Sequence, residues 1–289
     1  MDFDLSPAPP YGVAEQVSPR IQRLTAPNPG PFTFHGTGVY IIGAGDCVAV
    51  IDPGPDMPDH IEALKRALTG RKVSHILITH THSDHSPAAR PLAAWSGAPV
   101  YGFGAAAQTD EVEESGAGVF VPDVNVADGT PIAGKDFTLT ALHTPGHTAG
   151  HVCYALAEEK ALFTGDHVMG WSTTVIAPPD GNMGDYLRSL EKLIGRGDAV
   201  LYPTHGAPIP APENFLHAYL LHRRMRGAQI AACLAQGYET IPDIVAKLYA
   251  GLSPALGHAA ALTVQAHLEH LIEEAKVSRQ GDHYLPIAP

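Results

Sequence analysis

The chain has 289 residues, 45% of them hydrophobic, and a formal net charge of −12. That apolar content excludes a disordered protein, and the length suits one large domain or one domain plus a small appendage. Three distant cysteines, Cys47, Cys153 and Cys233, with no Cys-x-x-Cys pair, argue against a disulfide framework and for a reducing compartment. No run approaches the ~18 apolar residues of a membrane span. The start, Met1 to Pro7, carries neither a basic nor an apolar leader segment. The expectation is a cytoplasmic protein with no membrane partner.

Residues 1 to 30 read as an extended lead-in. Apolar runs follow at 32–35, 38–43 and 47–52, the last ending in the turn Asp52-Pro53-Gly54. Asp52 is expected either to cap the next helix or to brace a site from behind. Pro58 to Leu68 reads as a helix with Ile61, Leu64, Ala67 and Leu68 on one face. Val73 to Ile78 is a β-branched run that reads as a buried strand, and Ser86-Pro87 opens a second helix running to about Trp95, with Ser86 its expected cap. Further strands are expected at 137–142, 161–164 and 199–202, and a helix from Asn182 to Ile194. Strands and helices alternate in two apparent halves, 32–104 and 118–205, as a sandwich of two β–α layers requires.

The residues that carry chemistry sit where these strands end. Thr79-His80-Thr81-His82-Ser83-Asp84-His85 places three imidazoles and a carboxylate in six positions after a strand. Alternate strand residues share a face, so His80 and His82 can aim at one point. Neutral imidazole and carboxylate are ligands for zinc and similar metals. His147 in Thr144-Pro145-Gly146-His147, Asp166 in Gly165-Asp166-His167 and His205 in Pro203-Thr204-His205-Gly206 each follow an apolar run in the same way. His143, His151 and His167 read as hydrogen-bond partners or wall residues rather than ligands.

His80-Thr81-His82-Ser83-Asp84-His85, with His147, Asp166 and His205 in order, resembles the metallo-β-lactamase superfamily. The resemblance implies an α/β fold, an αββα sandwich of two mixed sheets with the site at one edge. It implies two zinc ions per chain: His80, His82 and His147 on the first, Asp84, His85 and His205 on the second, and Asp166 bridging them. A metal-bridging hydroxide would then attack the substrate, with Asp84 and Asp166 as the catalytic carboxylates. Asn28 to Thr37, Gly165 to Thr174 and Leu221 to Arg226 are similar to segments of the beta-lactamase-like protein 2 group, whose animal member is a mitochondrial single-strand endoribonuclease. Val39 departs from that group's usual Asn, which bears on specificity and not on metal binding. Thr173 and Thr174 are expected to meet substrate.

Three prolines in Pro208-Ile209-Pro210-Ala211-Pro212 mark a boundary, dividing a catalytic domain over 1–212 from a module over 213–289. Helices are expected at about 213–235, 242–250 and 255–275, then a hairpin from Lys276 to Leu285 turning at Gly281-Asp282: the parts of a winged-helix-like, mostly helical module. Pro254 to Ala275 contains no Lys or Arg, so packing and substrate-lid duty are favoured over DNA reading. His222, Arg223 and Arg226 are either a solvated basic face or a clamp for an anionic substrate group. From Phe215 onward six basic residues meet six acidic ones, leaving 12 basic against 24 acidic in the first 214. That balance disfavours single-stranded RNA and favours a small acyl or thioester substrate, with RNA cleavage the alternative. A true β-lactamase is disfavoured because those enzymes carry Cys or Ser where this chain has Asp166. The complete ligand set favours hydrolysis over an iron persulfide dioxygenase or a non-enzymatic binding module. The oligomeric state is not readable.

Overall fold

The structure is a computed structural model that describes residues 1–6, 8–104 and 120–287. Position 118, where the second half was expected to begin, lies outside the described residues. Two mixed sheets form the first part. In the first, β1 (Ala14–Ser18), β2 (Ile21–Thr25), β3 (Gly38–Ile42) and β4 (Cys47–Ile51) run antiparallel in order. Then β5 (Lys72–Leu77), β6 (Val100–Gly102) and β7 (Val124–Asn125) extend it in parallel. In the second, β8 (Pro131–Ala133), β9 (Thr138–His143), β10 (Val152–Leu156) and β11 (Ala161–Gly165) are antiparallel neighbours. The parallel β12 (Val200–Pro203) and the short β13 (Ile209–Pro210) close that sheet.

The strands explain the unbroken apolar runs. Successive side chains leave opposite faces, and here both faces are covered. Tyr40, Ile42, Ala49 and Ile51 pack inward against Leu139, Ala141, Tyr154 and Phe163 of the second sheet. Their neighbours Val39, Ile41, Val48 and Val50 pack outward with residues of α1 (Pro58–Ala67) and α2 (Ala89–Ser96). Leu162 and Leu201 leave the far face of the second sheet toward α3 (Met183–Leu193) and the start of α4 (Glu213–Ala235). The layers are therefore α, β, β, α. Phe163 is 1% exposed, with the Tyr40 and Tyr202 ring centres 5.1 and 5.6 Å away. Phe163→Ala leaves a cavity between the sheets and is expected to lower stability by ~3–5 kcal/mol, read as a fall in urea midpoint at constant slope.

Local structure adds detail at two places and overturns one expectation, the Ser86 cap. The lead-in holds the β1–β2 hairpin, which the sequence hides because β1 is an exposed edge with no apolar alternation. The apolar run 32–35 forms a tight turn. Phe34 takes φ 55°, Gly30 and Phe34 pair across the turn, and Thr33 Oγ1 donates to the Asn28 carbonyl at 2.6 Å. α2 begins at Ala89 without a side-chain cap, because Ser86 Oγ instead donates back to the Thr81 carbonyl at 3.1 Å.

α4 begins directly after the proline-marked boundary and runs without interruption from the first part into the module. Its first half packs Leu216, Tyr219 and Leu220 on the second sheet's helical layer, and its last turns place Ile230, Cys233 and Leu234 in a separate apolar cluster. That cluster also contains Ile244 of α5 (Ile241–Leu248), Val264, Leu268 and Leu271 of α6 (Pro254–Glu273), and Val277 and Tyr284 of the hairpin β14–β15 (Val277–Gln280 and His283–Pro286). Gly281, at φ 62°, turns the hairpin as expected. No helix among the described residues is long and apolar enough to cross a membrane.

Candidate metal centre

Strand ends deliver the candidate ligands to one edge of the sandwich. His80, His82, Asp84 and His85 follow β5, Asp166 follows β11, His205 follows β12, and His147 lies in the β9–β10 connection. Two clusters result. His80 Nε2 and His147 Nε2 stand 2.9 and 3.1 Å from His82 Nδ1. His85 Nε2 and His205 Nε2 stand 3.3 and 3.0 Å from Asp84 Oδ2. Donors ~2.1 Å from a tetrahedral ion lie ~3.4 Å apart, so both triads have the spacing of a metal cage. Asp166 lies between them. Its Oδ1 is 3.5 Å from His85 Nε2 and 3.4 Å from His205 Nε2, and its Oδ2 is 3.8 Å from His147 Nε2. Asp166 Oδ1 and His85 Nε2 are buried atoms with no hydrogen-bond partner in the protein. Unpaired buried polar atoms demand a partner, and a metal ion fits this donor set.

The ring orientations are set from behind. His80 Nδ1 meets Thr79 Oγ1 at 3.1 Å, and that hydroxyl donates to Asp52 Oδ2 at 2.6 Å. His85 Nδ1 meets Asp52 Oδ2 at 2.8 Å, His147 Nδ1 the Val175 carbonyl at 2.7 Å and His205 Nδ1 the Gly36 carbonyl at 3.2 Å. In these four rings Nδ1 therefore donates outward and Nε2 faces the cluster, whereas His82 turns its Nδ1 to it. Asp52 also accepts from the Thr79 amide at 2.8 Å and the Thr204 hydroxyl at 3.3 Å. Of its two expected roles it takes the brace; α1 is preceded by Met57, with no side-chain cap.

Asp166 is held through its backbone. Its amide donates to His151 Nε2 at 3.3 Å, and its carbonyl accepts from Thr174 Oγ1 at 2.7 Å. Gly165 makes the approach possible. At φ 51°, a Cβ there would lie 2.6 Å from His151 Nε2 and 2.8 Å from the Thr79 side chain. Gly165→Ala is expected to lower stability by ~2–4 kcal/mol and to weaken metal retention, measured together by thermal melting and elemental analysis.

The metal-free charge state is uneven. Burial and then the neighbouring imidazoles hold His80 well below the usual histidine range, and burial lowers His147. Burial also works against charge on His85, but Asp84, Asp166 and Asp52 outweigh it and raise that imidazole well above the usual range. His205 is raised in the same way by Asp166 and Asp84. Burial notwithstanding, His85 and His205 lower the carboxyls of Asp84 and Asp166. Four of these six donors are thus poised as ligands, whereas His85 and His205 must first lose protons.

The other expected site residues fall behind this edge. Thr173 is half-buried, beside Thr174. Thr174 is 2% exposed, its hydroxyl on Asp166 and its amide donating to Tyr219 Oη at 2.8 Å. Arg223 is 3% exposed, and its Nη2 donates to the Thr174 carbonyl. His222 and Arg226 are half-buried on α4. His151 is buried on Thr144 Oγ1 at 2.9 Å, while His143 stacks on Phe103 with ring centres 3.9 Å apart. Three contacts went unread in the sequence: Thr37 Oγ1 donates to Asp84 Oδ2 at 3.3 Å, and the Gly36 and Val175 carbonyls each orient an imidazole. A carbonyl leaves no mark in a sequence, so only the hydroxyl of Thr37 carried a readable signal.

Comparison with known proteins agrees with this geometry. The family described as the metallo-beta-lactamase superfamily matches residues 33–205, and the beta-lactamase associated winged helix domain matches residues 240–284. The chain belongs to the metallo-beta-lactamase superfamily and carries its associated winged helix. It is 32% identical over 271 residues to the beta-lactamase-like protein 2 homolog of Caenorhabditis elegans, covering 91% of this chain and 88% of that protein. It is 34% identical over 231 residues to the atrochrysone carboxyl ACP thioesterase AgnL7 of Paecilomyces divaricatus, covering 78% of this chain and 68% of that one. Among solved structures, the metallo-beta-lactamase family protein TTHA1429 of Thermus thermophilus superimposes with a TM-score of 0.78 at 25% identity, covering 94% of this chain and all of that one.

Proposed function

We propose that the protein is a dinuclear zinc hydrolase of small acyl thioesters. The observation that carries this reading is the Asp166 carboxylate standing between two triads of ligand-type donors. His80, His82 and His147 would hold one ion, Asp84, His85 and His205 the other, and Asp166 both. Zinc bound there would supply Lewis acidity and a water acidic enough to attack near neutral pH.

The chain's own residues prepare the site. Asp52 and Thr79 hold His80 and His85 in one tautomer, and Thr174 and His151 hold the backbone from which Asp166 reaches in. His82 is exposed and Asp84 half-buried, so substrate enters on that side. Residues 170–175 run from His205, whose carbonyl accepts from the Gly170 amide at 2.9 Å, to His147 on Val175. Substrate is proposed to lie along this segment and meet Thr173, because the polar groups of Thr174 already have partners. The thioesterase relatives support the acyl chemistry. The net charge of −12, and an α6 without Lys or Arg, oppose single-stranded RNA as substrate. Three free cysteines support a cytoplasmic location. The catalytic domain is proposed to span 1–212 and the helical module 213–289, with α4 as the joint.

Zinc-loaded protein is expected to hydrolyse short acyl thioesters and to lose that activity in a chelator, regaining it on zinc addition. Zinc-loaded protein inert on every thioester of an acyl panel would overturn the reading. Loading itself has a proton signature. Ligands bind deprotonated, and His85 and His205 hold protons in the metal-free state, so about one to two protons per chain should leave on loading near pH 7. Raised folded-state pKa values also mean that the metal-free protein gains stability from these two histidines at acid pH and loses it as pH rises through those values. Calorimetry in buffers of different ionisation enthalpy measures the release.

A further inference from the structure

Arginine and histidine side chains gather where α4 packs on α6. His222, Arg223 and Arg226 come from α4, and His267 comes from α6. A Cβ on Gly227, one turn after Arg223, would stand 3.5 Å from His267 Nδ1, so that ring lies against the α4 backbone. Arg223 and His267 are 3% and 2% exposed, yet Nε of the first and Nε2 of the second have no hydrogen-bond partner. The Arg223 guanidinium rests on the Tyr186 and Tyr219 rings, 5.2 and 5.8 Å from their centres, and Arg226 lies 4.6 Å over Tyr249. Among the described residues no carboxylate comes within 4.0 Å of either arginine, whereas the adjacent Arg224 is paired with Glu191. The acids at the end of this seam, Glu273 and Glu274, face His270 at 3.6 and 3.9 Å.

A buried guanidinium without an anion is costly, and unpaired buried nitrogens mark a missing partner. Burial and the Arg223 charge push His267 down to about 3, so its ring is neutral at physiological pH and able to offer one N–H beside the arginines. Donors arriving from two helices suit a tetrahedral oxyanion better than one planar fork does. The seam is also tied to the metal edge: Arg223 holds the Thr174 carbonyl, and Thr174 Oγ1 holds the Asp166 carbonyl at 2.7 Å.

We propose that this seam binds a phosphate group on the thiol carrier of the substrate, with His222 and Arg226 at its mouth and Arg223 and His267 at its base. The proposal rests on the thioester-hydrolase reading and adds the leaving group's chemistry to it. The carrier phosphate would anchor the thiol arm behind residues 172–175 while the acyl carbon lies at the metal edge.

The test has two independent arms. In the first, inorganic phosphate is titrated into zinc-loaded protein while the His267 ring is followed by nitrogen-15 NMR. A saturable shift of Nε2, weakened at least about tenfold in His222→Asn/Arg226→Met, is expected. No shift at His267, or one unaltered in the double variant, overturns the site. In the second arm one acyl group is presented on coenzyme A, on dephospho-coenzyme A and on N-acetylcysteamine, which has no phosphate. The double variant should raise KM for the coenzyme A thioester at least about tenfold more than for the N-acetylcysteamine thioester. The dephospho compound tells the terminal phosphate from the diphosphate. An equal rise for all three means a packing role and overturns the proposal, as does displacement of phosphate from the seam by an RNA oligonucleotide that is then cleaved. Wild-type protein that hydrolyses none of the thioesters sinks the hydrolase reading, while the NMR arm still decides the phosphate site.

Discussion

Asp166→Ala is expected to abolish most hydrolysis and to strip metal from the protein. The carboxylate faces His85 and His205 through Oδ1 and His147 through Oδ2. On the proposed dinuclear reading, removing it would take a shared ligand and one negative charge from between two dications. The ion on Asp84, His85 and His205 should leave first, because His85 and His205 then face each other with only Asp84 and Asp52 to offset their charge. Loss of an outer partner costs about 10–100-fold in metal affinity or activity, so loss of a shared ligand should cost on the order of 10³-fold or more in kcat/KM. Elemental analysis and steady-state kinetics on one preparation check both parts. An Asp166→Ala protein that keeps two ions and most of its activity contradicts the bridging assignment.

Asp52→Ala should produce the second-largest effect, although Asp52 reaches no metal position itself. It is 1% exposed and gathers the Thr79 amide and hydroxyl, the Thr204 hydroxyl and His85 Nδ1. Without it, four donors lose their acceptor and His85 is free to turn. Metal affinity should fall about 10–100-fold. The metal-free fold should lose ~3 kcal/mol, since removing one partner leaves the buried His85 charge less compensated. His85 should also titrate lower, because one of the three carboxylates that raise it is gone. Chelator competition gives the affinity, and urea unfolding at pH 6 and pH 8 gives the stability. Wild-type affinity in Asp52→Ala would show that the ligand cage needs no brace.

What the sequence made legible and what it hid follow from the same physics. The donors His80, His82, Asp84, His85, His147, Asp166 and His205 could be read because side-chain chemistry is written in residue type and each follows a buried apolar strand. Their support was half legible. Asp52 stood out as a carboxylate in a turn, but the carbonyls of Gly36 and Val175 belong to the backbone and become specific only when folded. The layered fold was visible in the runs 38–43 and 47–52, apolar on both faces. β1 was not, since an exposed edge strand needs no apolar period. His267 carries no motif of its own in the sequence, and only the packing of α6 on α4 places it beside the arginine-bearing helix.

Two ions sharing one carboxylate are the centre of the proposed mechanism. Its most direct test is the number of zinc ions per chain at saturation, followed by elemental analysis as metal-free protein is titrated with zinc and assayed for thioester hydrolysis. Two per chain are expected, with activity rising as the second ion binds. Saturation at one ion with full activity would contradict that mechanism.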